Sequence, residues 1–305
     1  MIAMKSIISS MTTSDALITR KNSMSEHGED AVIKWLFSVI GEDTKWCVDL
    51  GALNGTHGSN VWHLIKECGW SAVLIEADRT YFEKLQQEFS TIDRAHCINA
   101  FVSFEGEYSL DIILARTLLP RTFDLFSLDI DGNEYHLWDS LVHYRPRVMV
   151  VEFNPTIPDD VVFIQPRDMG VFQGSSLRAL VKLGKRKGYE LVATNEVNGF
   201  FVLRELFPKF GILDNSIETL HTDHHYETKL FQLYDGTIRI SGYDHLLWHN
   251  IPLDIEKLQV LPARARRYPA HIDESNTVRT LKYWVRKVPL YRQLQRIRKS
   301  LGRIF

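Results

Sequence analysis

Five carboxylates stand where apolar runs end: Asp49 after Trp46-Cys47-Val48, Glu76 at the end of Trp70 to Glu76, Asp129 and Asp131 where Phe123 to Ile130 ends, and Glu152 within Pro146 to Phe153. Acids so placed can accept the hydrogen bonds of a ribose, attract a cationic ligand, or take a proton from a substrate hydroxyl. Gly51, Gly55 and Gly58 follow Asp49 and permit a tight backbone beside a ligand. The spacing is not the dinucleotide pattern G-x-G-x-x-G, because position 53 is Leu53. An acid two residues before the first glycine would also repel a pyrophosphate, whereas it suits a cationic amino-acid cofactor. S-adenosylmethionine (SAM), with its sulfonium charge, meets that requirement. Each acid alone also fits a solvated strand end or a helix N-cap; their convergence is the stronger signal.

The elements that must position these groups follow from the apolar runs. Strands are expected at 46–50, 70–76, 96–102, 123–130 and 146–153, with helices from Val61, over Tyr81–Phe89 and from Gly174 to Gly188. Ser59 and Asn60 are expected to cap the helix that begins at Val61. The separation between the glycine turn and Glu76 is that of a ribose-binding carboxylate in a βαβ unit. Tyr189–Thr194 and Gly199–Leu203 are two further strands, and the four residues between them permit an antiparallel hairpin but not a parallel crossover. The fold class is therefore α/β: a Rossmann-like, mostly parallel seven-stranded sheet with an antiparallel terminal hairpin, the architecture of class I methyltransferases. In such a sheet ligands bind outside the carboxyl ends of the strands, where all five acids would gather.

Several segments resemble the FkbM-type family of SAM-dependent methyltransferases: Ser25-Glu-His-Gly-Glu-Asp30, Val48-Asp-Leu-Gly-Ala-Leu-Asn-Gly55, Ser59-Asn60, Gly69-Trp-Ser-Ala-Val-Leu-Ile-Glu-Ala77, Ser127-Leu-Asp-Ile-Asp-Gly-Asn-Glu-Tyr135, Val151-Glu-Phe-Asn-Pro155, Gly174-Ser-Ser-Leu177 and Lys187-Gly-Tyr189. They cover about residues 25 to 205. Leu53 and Asn54 depart from the usual first motif, where glycine or aspartate is common. The resemblance implies O-methylation, often of a sugar or polyketide hydroxyl. The expected cofactor set is Asp49, Gly51, Asn54, Gly55, Ser59, Asn60, Glu76 and Asp129, with Asp131 and Glu152 as the catalytic pair facing the acceptor.

A sulfonium methyl is already activated, so the protein has to align an acceptor oxygen and remove its proton. A carboxylate or histidine base could do so, or a divalent cation that lowers the acceptor pKa. Asp129, Glu152 and Asn154 offer hard oxygen ligands suited to Mg²⁺, and the pattern looks like that of metal-dependent sugar O-methyltransferases. Asp131-Gly132-Asn133 also reads as a simple turn in which Asp131 bonds its own backbone. His27, His57 and His136 lie within or beside the matched segments as alternative bases, and the sequence does not choose among them. His221-Thr-Asp223-His224-His225 lacks helical i, i+4 spacing and reads as a solvated loop rather than a zinc site.

The chain of 305 residues, 45% hydrophobic and 24% charged, can hold one α/β domain and an appendage. Cys47, Cys68 and Cys97 are an odd set, expected as core thiols in a reducing cytosol. No signal peptide or membrane span is evident. The expected organisation is a mobile arm over 1–24, the methyltransferase domain over 25–208, an appendage over 209–261 with a hairpin at Asp235-Gly236 that could form an acceptor lid, and a basic amphipathic helical tail over 262–305. That tail holds twelve basic residues against Asp273 and Glu274, with apolar positions from Val278 to Ile304 recurring at threes and fours. It could lie on an anionic membrane or dock on its own domain or a partner subunit. No nucleic-acid motif accompanies the charge. The expected function is a cytoplasmic SAM-dependent O-methyltransferase acting on a sugar, glycan or nucleotide-linked glycan precursor, peripheral at the inner membrane face or not. The rival is a non-catalytic module with this fold that recruits partners to a membrane.

Overall fold

Residues 24–268 are described by the computed structural model. Contacts divide the chain into one unit that ends at Thr228 and another that begins at Lys229. The arm through residue 23 and the expected tail helices beyond Val278 lie outside the described residues.

Successive residues of a strand point to opposite faces of its sheet, and the inner strands here are apolar on both faces because both are covered. Val48, Val73, Phe126, Met149 and Phe201 pack toward one side, and Cys47, Ala72, Leu125, Val148 and Phe200 toward the other, all but fully buried. The first unit runs α1 (Glu29–Ile40), β1 (Trp46–Leu50), α2 (Trp62–Lys66), β2 (Ser71–Glu76), α3 (Arg79–Glu88), β3 (Ala95–Asn99), α4 (Leu110–Ala115), β4 (Thr122–Leu128), α5 (Glu134–Ser140), β5 (Arg145–Glu152), α6 (Leu177–Lys187), β6 (Tyr189–Thr194), β7 (Asn198–Leu203) and α7 (Ile217–Leu220). Helices α1, α2 and α3 cover the Cys47 face; α4, α5 and α6 cover the Val48 face.

The sheet has the order β3-β2-β1-β4-β5-β7-β6, parallel throughout except for β7, which runs antiparallel to β5 and β6. This is the expected Rossmann-like, mostly parallel seven-stranded sheet with its antiparallel terminal pair. The chain order reverses between β1 and β4, so a crevice opens at their carboxyl ends. By register Asp49 pairs with Ser127, Glu76 with Asn99 and Glu152 with Asn198, which sets Asp49 two residues short of the level of Glu76 and Glu152.

The opposite end of the sheet is fastened by a buried charge. Asp124, with no exposed surface, accepts from the main-chain N–H groups of Asp43, Thr44 (2.8 Å) and Lys45 (2.7 Å), and pairs with the Arg147 guanidinium. Arg147 also donates to the carbonyls of Gly41 (2.9 Å) and Ile40 (3.2 Å). One carboxylate thus holds the turn from α1 into β1 against β4 and β5.

The caps show why the helices start where they do. Ser59 Oγ accepts from the N–H groups of Val61 and Trp62 ahead of α2. Asn60 does not share that cap, because its amide donates to Ser127 Oγ at 3.0 Å. Asp78 caps α3, and Ser176 caps α6, which ends on Gly188 in the left-handed conformation. Beyond Thr228 the chain forms a hairpin, β8 (Thr228–Gln232) and β9 (Ile238–Gly242), turned at Asp235-Gly236 with Leu233 N–H donating to Thr237 O at 2.8 Å.

Candidate functional site

Main-chain hydrogen bonds fix the turn at the β1–β4 switch point. Gly51 and Ala52 donate to Ile75 O at 3.1 and 3.2 Å, and Asp129 donates to Leu50 O at 3.2 Å. Gly51 has φ +90°, and a Cβ on it would stand 1.8 Å from Asp129 O, so no side chain fits where the turn passes β4. Gly55, at φ +77°, is pressed against α3, where a Cβ would meet Leu85 and Phe89 at 2.6 Å. Between them Leu53 takes φ +47° and stays exposed. Asn54 Oδ1 accepts from Thr56 N–H, Thr56 Oγ1 and His57 N–H, folding the loop on itself.

Glu76 holds this loop. Its two oxygens accept from Leu53 N–H (2.8 Å) and Asp78 N–H (2.7 Å), and each oxygen retains a lone pair for a further donor. Asp49 lies buried beneath the turn, and its carboxyl is pushed up to about 7 by burial, against the pull of the Ser127 hydroxyl and with the charges of Asp129 and Glu76 adding to the rise. Asn60, Ser127 and Asp49 form one hydrogen-bonded chain.

The other wall is a group of carboxyls. Glu152 and Asp129 are hydrogen-bonded to each other; burial raises both, Glu152 well above the usual carboxylate range and Asp129 to about 6. The two carboxyls therefore share a proton as one titrating pair. Asp131 adds its charge from an exposed turn at φ +61°. Glu134 turns back onto that turn, accepting from Gly132 N–H (2.7 Å) and Ile130 N–H (3.2 Å), and burial pushes it up to about 7. Asn154 does not join the pair as a third oxygen ligand: its Oδ1 accepts from Thr156 N–H and Oγ1 at 2.9 and 2.7 Å, and its amide donates to Gln173 O. Of the three oxygen ligands expected for Mg²⁺, Asn154 is thus engaged elsewhere, and Asp129 and Glu152 remain as a hydrogen-bonded pair of carboxyls.

Two acids that the strand pattern does not single out belong here. Buried Glu29 accepts from His27 N–H, Asn195 Nδ2 and Asn198 Nδ2, tying the segment before α1 to the β6–β7 turn, and its charge reaches Asp129. Glu134 is the second. The signal for both was present in Ser25-Glu-His-Gly-Glu-Asp30 and in Asp131-Gly-Asn-Glu134, read there only as matched segments. Asn198 Oδ1, buried and level with Glu152, has no hydrogen-bond partner among the described residues. His27 Nδ1 lies 2.8 Å from Glu196, His136 Nε2 contacts Gln165 O at 2.8 Å, and His57 is exposed.

The segment from His221 is not wholly a solvated loop. His221 is 4% exposed and sits on the Phe153 ring, while His224 and His225 are exposed. A cleft of about 410 Å³ lies against α1 and α2, lined by Ile33, Phe37, His63 and Leu64, and none of the rim carboxyls lines it.

No family model matches the chain, and no curated protein matches it. Among solved structures it is similar to a Galdieria sulphuraria protein assigned as a sarcosine dimethylglycine methyltransferase, at 17% identity and TM-score 0.38 over 53% of this chain and 62% of that one. It is also similar to a Geobacter sulfurreducens methyltransferase (13% identity, TM-score 0.37, covering 65% of this chain and 88% of that one). A third is the N-terminal domain of EvdMO1 with S-adenosylhomocysteine (SAH) bound (12%, TM-score 0.36, covering 58% and 83%). The chain spans less than two thirds of the length of the Galdieria protein.

Proposed function

We propose that this chain is a SAM-dependent O-methyltransferase acting on a hydroxyl of a sugar, glycan or nucleotide-linked glycan precursor. The observation that carries the reading is the carboxyl rim at the β1–β4 switch point, built around a turn in which Gly51 leaves no room for a side chain. A rim so rich in acid disfavours phosphate and favours a cation. The choice of a hydroxyl acceptor is supported by the segments that resemble the FkbM-type family.

When bound, SAM supplies a methyl already activated on a positively charged sulfur. Glu76, fixed by Leu53 and Asp78, accepts the ribose hydroxyls with its free lone pairs. Asp49 and Asp129 supply the negative field that holds the sulfonium. Once a cation enters, the Asp129–Glu152 pair loses its shared proton, since a nearby positive charge favours the ionised form. Glu152 would then take the proton of the acceptor hydroxyl, and SAM, where bound, would supply the methyl and leave as a neutral thioether. Asp131 orients the acceptor from the exposed turn. No step is routed through Mg²⁺.

The test is transfer of isotope-labelled methyl from SAM to a panel of nucleotide sugars and oligosaccharides. The reading expects label on a sugar oxygen, and Glu152→Gln should lower turnover by roughly 10²–10⁴-fold. Label appearing only on nitrogen or carbon, or turnover unchanged in Glu152→Gln, contradicts it.

A further inference from the structure

We propose that Asp159, His221 and His224 form a binding site for one divalent transition-metal ion of the Zn²⁺ class. The inference is independent of methyl transfer. Asp159 belongs to the segment between β5 and α6, and His221 and His224 follow α7. One ligand atom from each of the three lies within 4.8 Å of the other two. In a tetrahedral zinc site with bonds of roughly 2.0–2.2 Å, ligand atoms stand roughly 3.3–3.6 Å apart, so the group is already near that size.

A simple histidine–carboxylate pair explains only part of the cluster. His221 Nδ1 meets Asp159 Oδ1 at 2.8 Å, but His221 Nε2 is buried and has no hydrogen-bond partner among the described residues. Buried imidazole nitrogens are rarely left so, which marks this ring as lacking its full set of partners. His224 Nδ1 stands 4.0 Å from Asp159 Oδ2 and 3.8 Å from Glu227 Oε2, too far for hydrogen bonds and within the span of groups around a shared cation. Because His224 is 48% exposed, its ring can turn inward at little cost.

The scaffold holds the buried members in place. Arg178 on α6 donates to Asp159 O and pairs with Glu218 on α7, His221 N–H donates to Ile217 O at 2.7 Å, and the Phe153 ring packs edge-on against His221 with centroids 5.4 Å apart. Two imidazoles with one carboxylate select a borderline transition ion over Mg²⁺ or Ca²⁺. Three protein ligands leave one position for water. An ion here would clamp the segment after β5 to the segment after α7; Asp159 lies seven residues beyond Glu152 in the chain.

The test uses the full-length chain, stripped with chelator, exchanged into chelator-free buffer, and titrated with Zn²⁺ by calorimetry and with Co²⁺ by visible absorption. One Zn²⁺ per chain is expected, undisplaced by excess Mg²⁺, together with the absorption bands of a low-coordinate nitrogen–oxygen Co²⁺ site. His224→Ala, at an exposed position, and Asp159→Asn should each lower Zn²⁺ affinity by on the order of ten- to a hundredfold. Glu152→Gln should leave it unchanged, which separates this site from the rim. A stoichiometry well below one, or the same Zn²⁺ affinity in His224→Ala as in the native chain, overturns the proposal.

Discussion

Glu152 and Asp129 are hydrogen-bonded to each other across the carboxyl ends of β5 and β4, and the two carboxyls behave as one titrating pair. Burial favours the protonated form; a cation beside them favours the ionised one. Binding of SAM should therefore release protons, and binding of SAH, whose sulfur is neutral, should release fewer. Calorimetry in buffers of different ionisation enthalpy measures the difference directly. SAM affinity should also rise with pH across the range set by Asp129, Glu134 and Asp49, from about 6 to about 7. Equal proton release for the two nucleosides would contradict this.

The same groups set the stability of the ligand-free protein. Asp49, Asp129 and Glu134 all titrate higher in the fold than in an unfolded chain, so the folded state holds more protons between about pH 4 and pH 7. Their contribution is complete below the unfolded pKa and is lost as pH rises through the folded one. Thermal scans should show Tm falling from about pH 5 to pH 8. Asp49→Asn should flatten that slope by removing a term of roughly 3–4 kcal/mol. A Tm that rises over this interval would exclude it.

Gly51→Ala should be far more damaging than a neutral glycine change. Its Cβ would overlap Asp129 O, a main-chain atom that cannot move without breaking the β1–β4 register. Gly106→Ala, at φ +77° with no atom within 4 Å, should cost only roughly 1–2 kcal/mol. Denaturant unfolding of the two variants compares them, and similar midpoints would show that the turn has room.

Arg147 and Asp124 make a prediction remote from the rim. Arg147→Met leaves the Asp124 carboxylate buried and without its cation, and should cost roughly 3–5 kcal/mol. Adding Asp124→Asn should recover part of the loss. SAM affinity in the folded fraction should be unaffected, since the pair sits at the far end of the sheet. A fall in affinity without a fall in stability would place it in the site instead.

Much of the sheet was legible because a parallel strand covered on both faces must be a continuous apolar run, and β1, β2, β4 and β5 each end such a run at or beside an acid. The short Asn195–Asn198 link likewise dictated the antiparallel pair. Glu134 was harder to see: an acid in a first helical turn is ordinary, and its role depends on Asp131, Gly132 and Asn133 all taking positive φ. Asp124 reads as a polar break within a strand until Arg147 and the Gly41–Lys45 turn are brought beside it. His221 looked solvated because its burial comes from Phe153 and Asp159, more than sixty residues earlier in the chain. Local pattern reveals strands and caps; a buried charge or imidazole is defined by partners that only the fold assembles.

The most direct measurement is a calorimetric titration of the purified chain with SAM and then with SAH, repeated in Glu76→Ala. One site per chain is expected, with both nucleosides weakened in the variant and SAM losing more than SAH in Asp129→Asn. No heat with either nucleoside, or the same affinity in Glu76→Ala as in the native chain, would mean that the acidic rim is not where a sulfonium nucleoside binds.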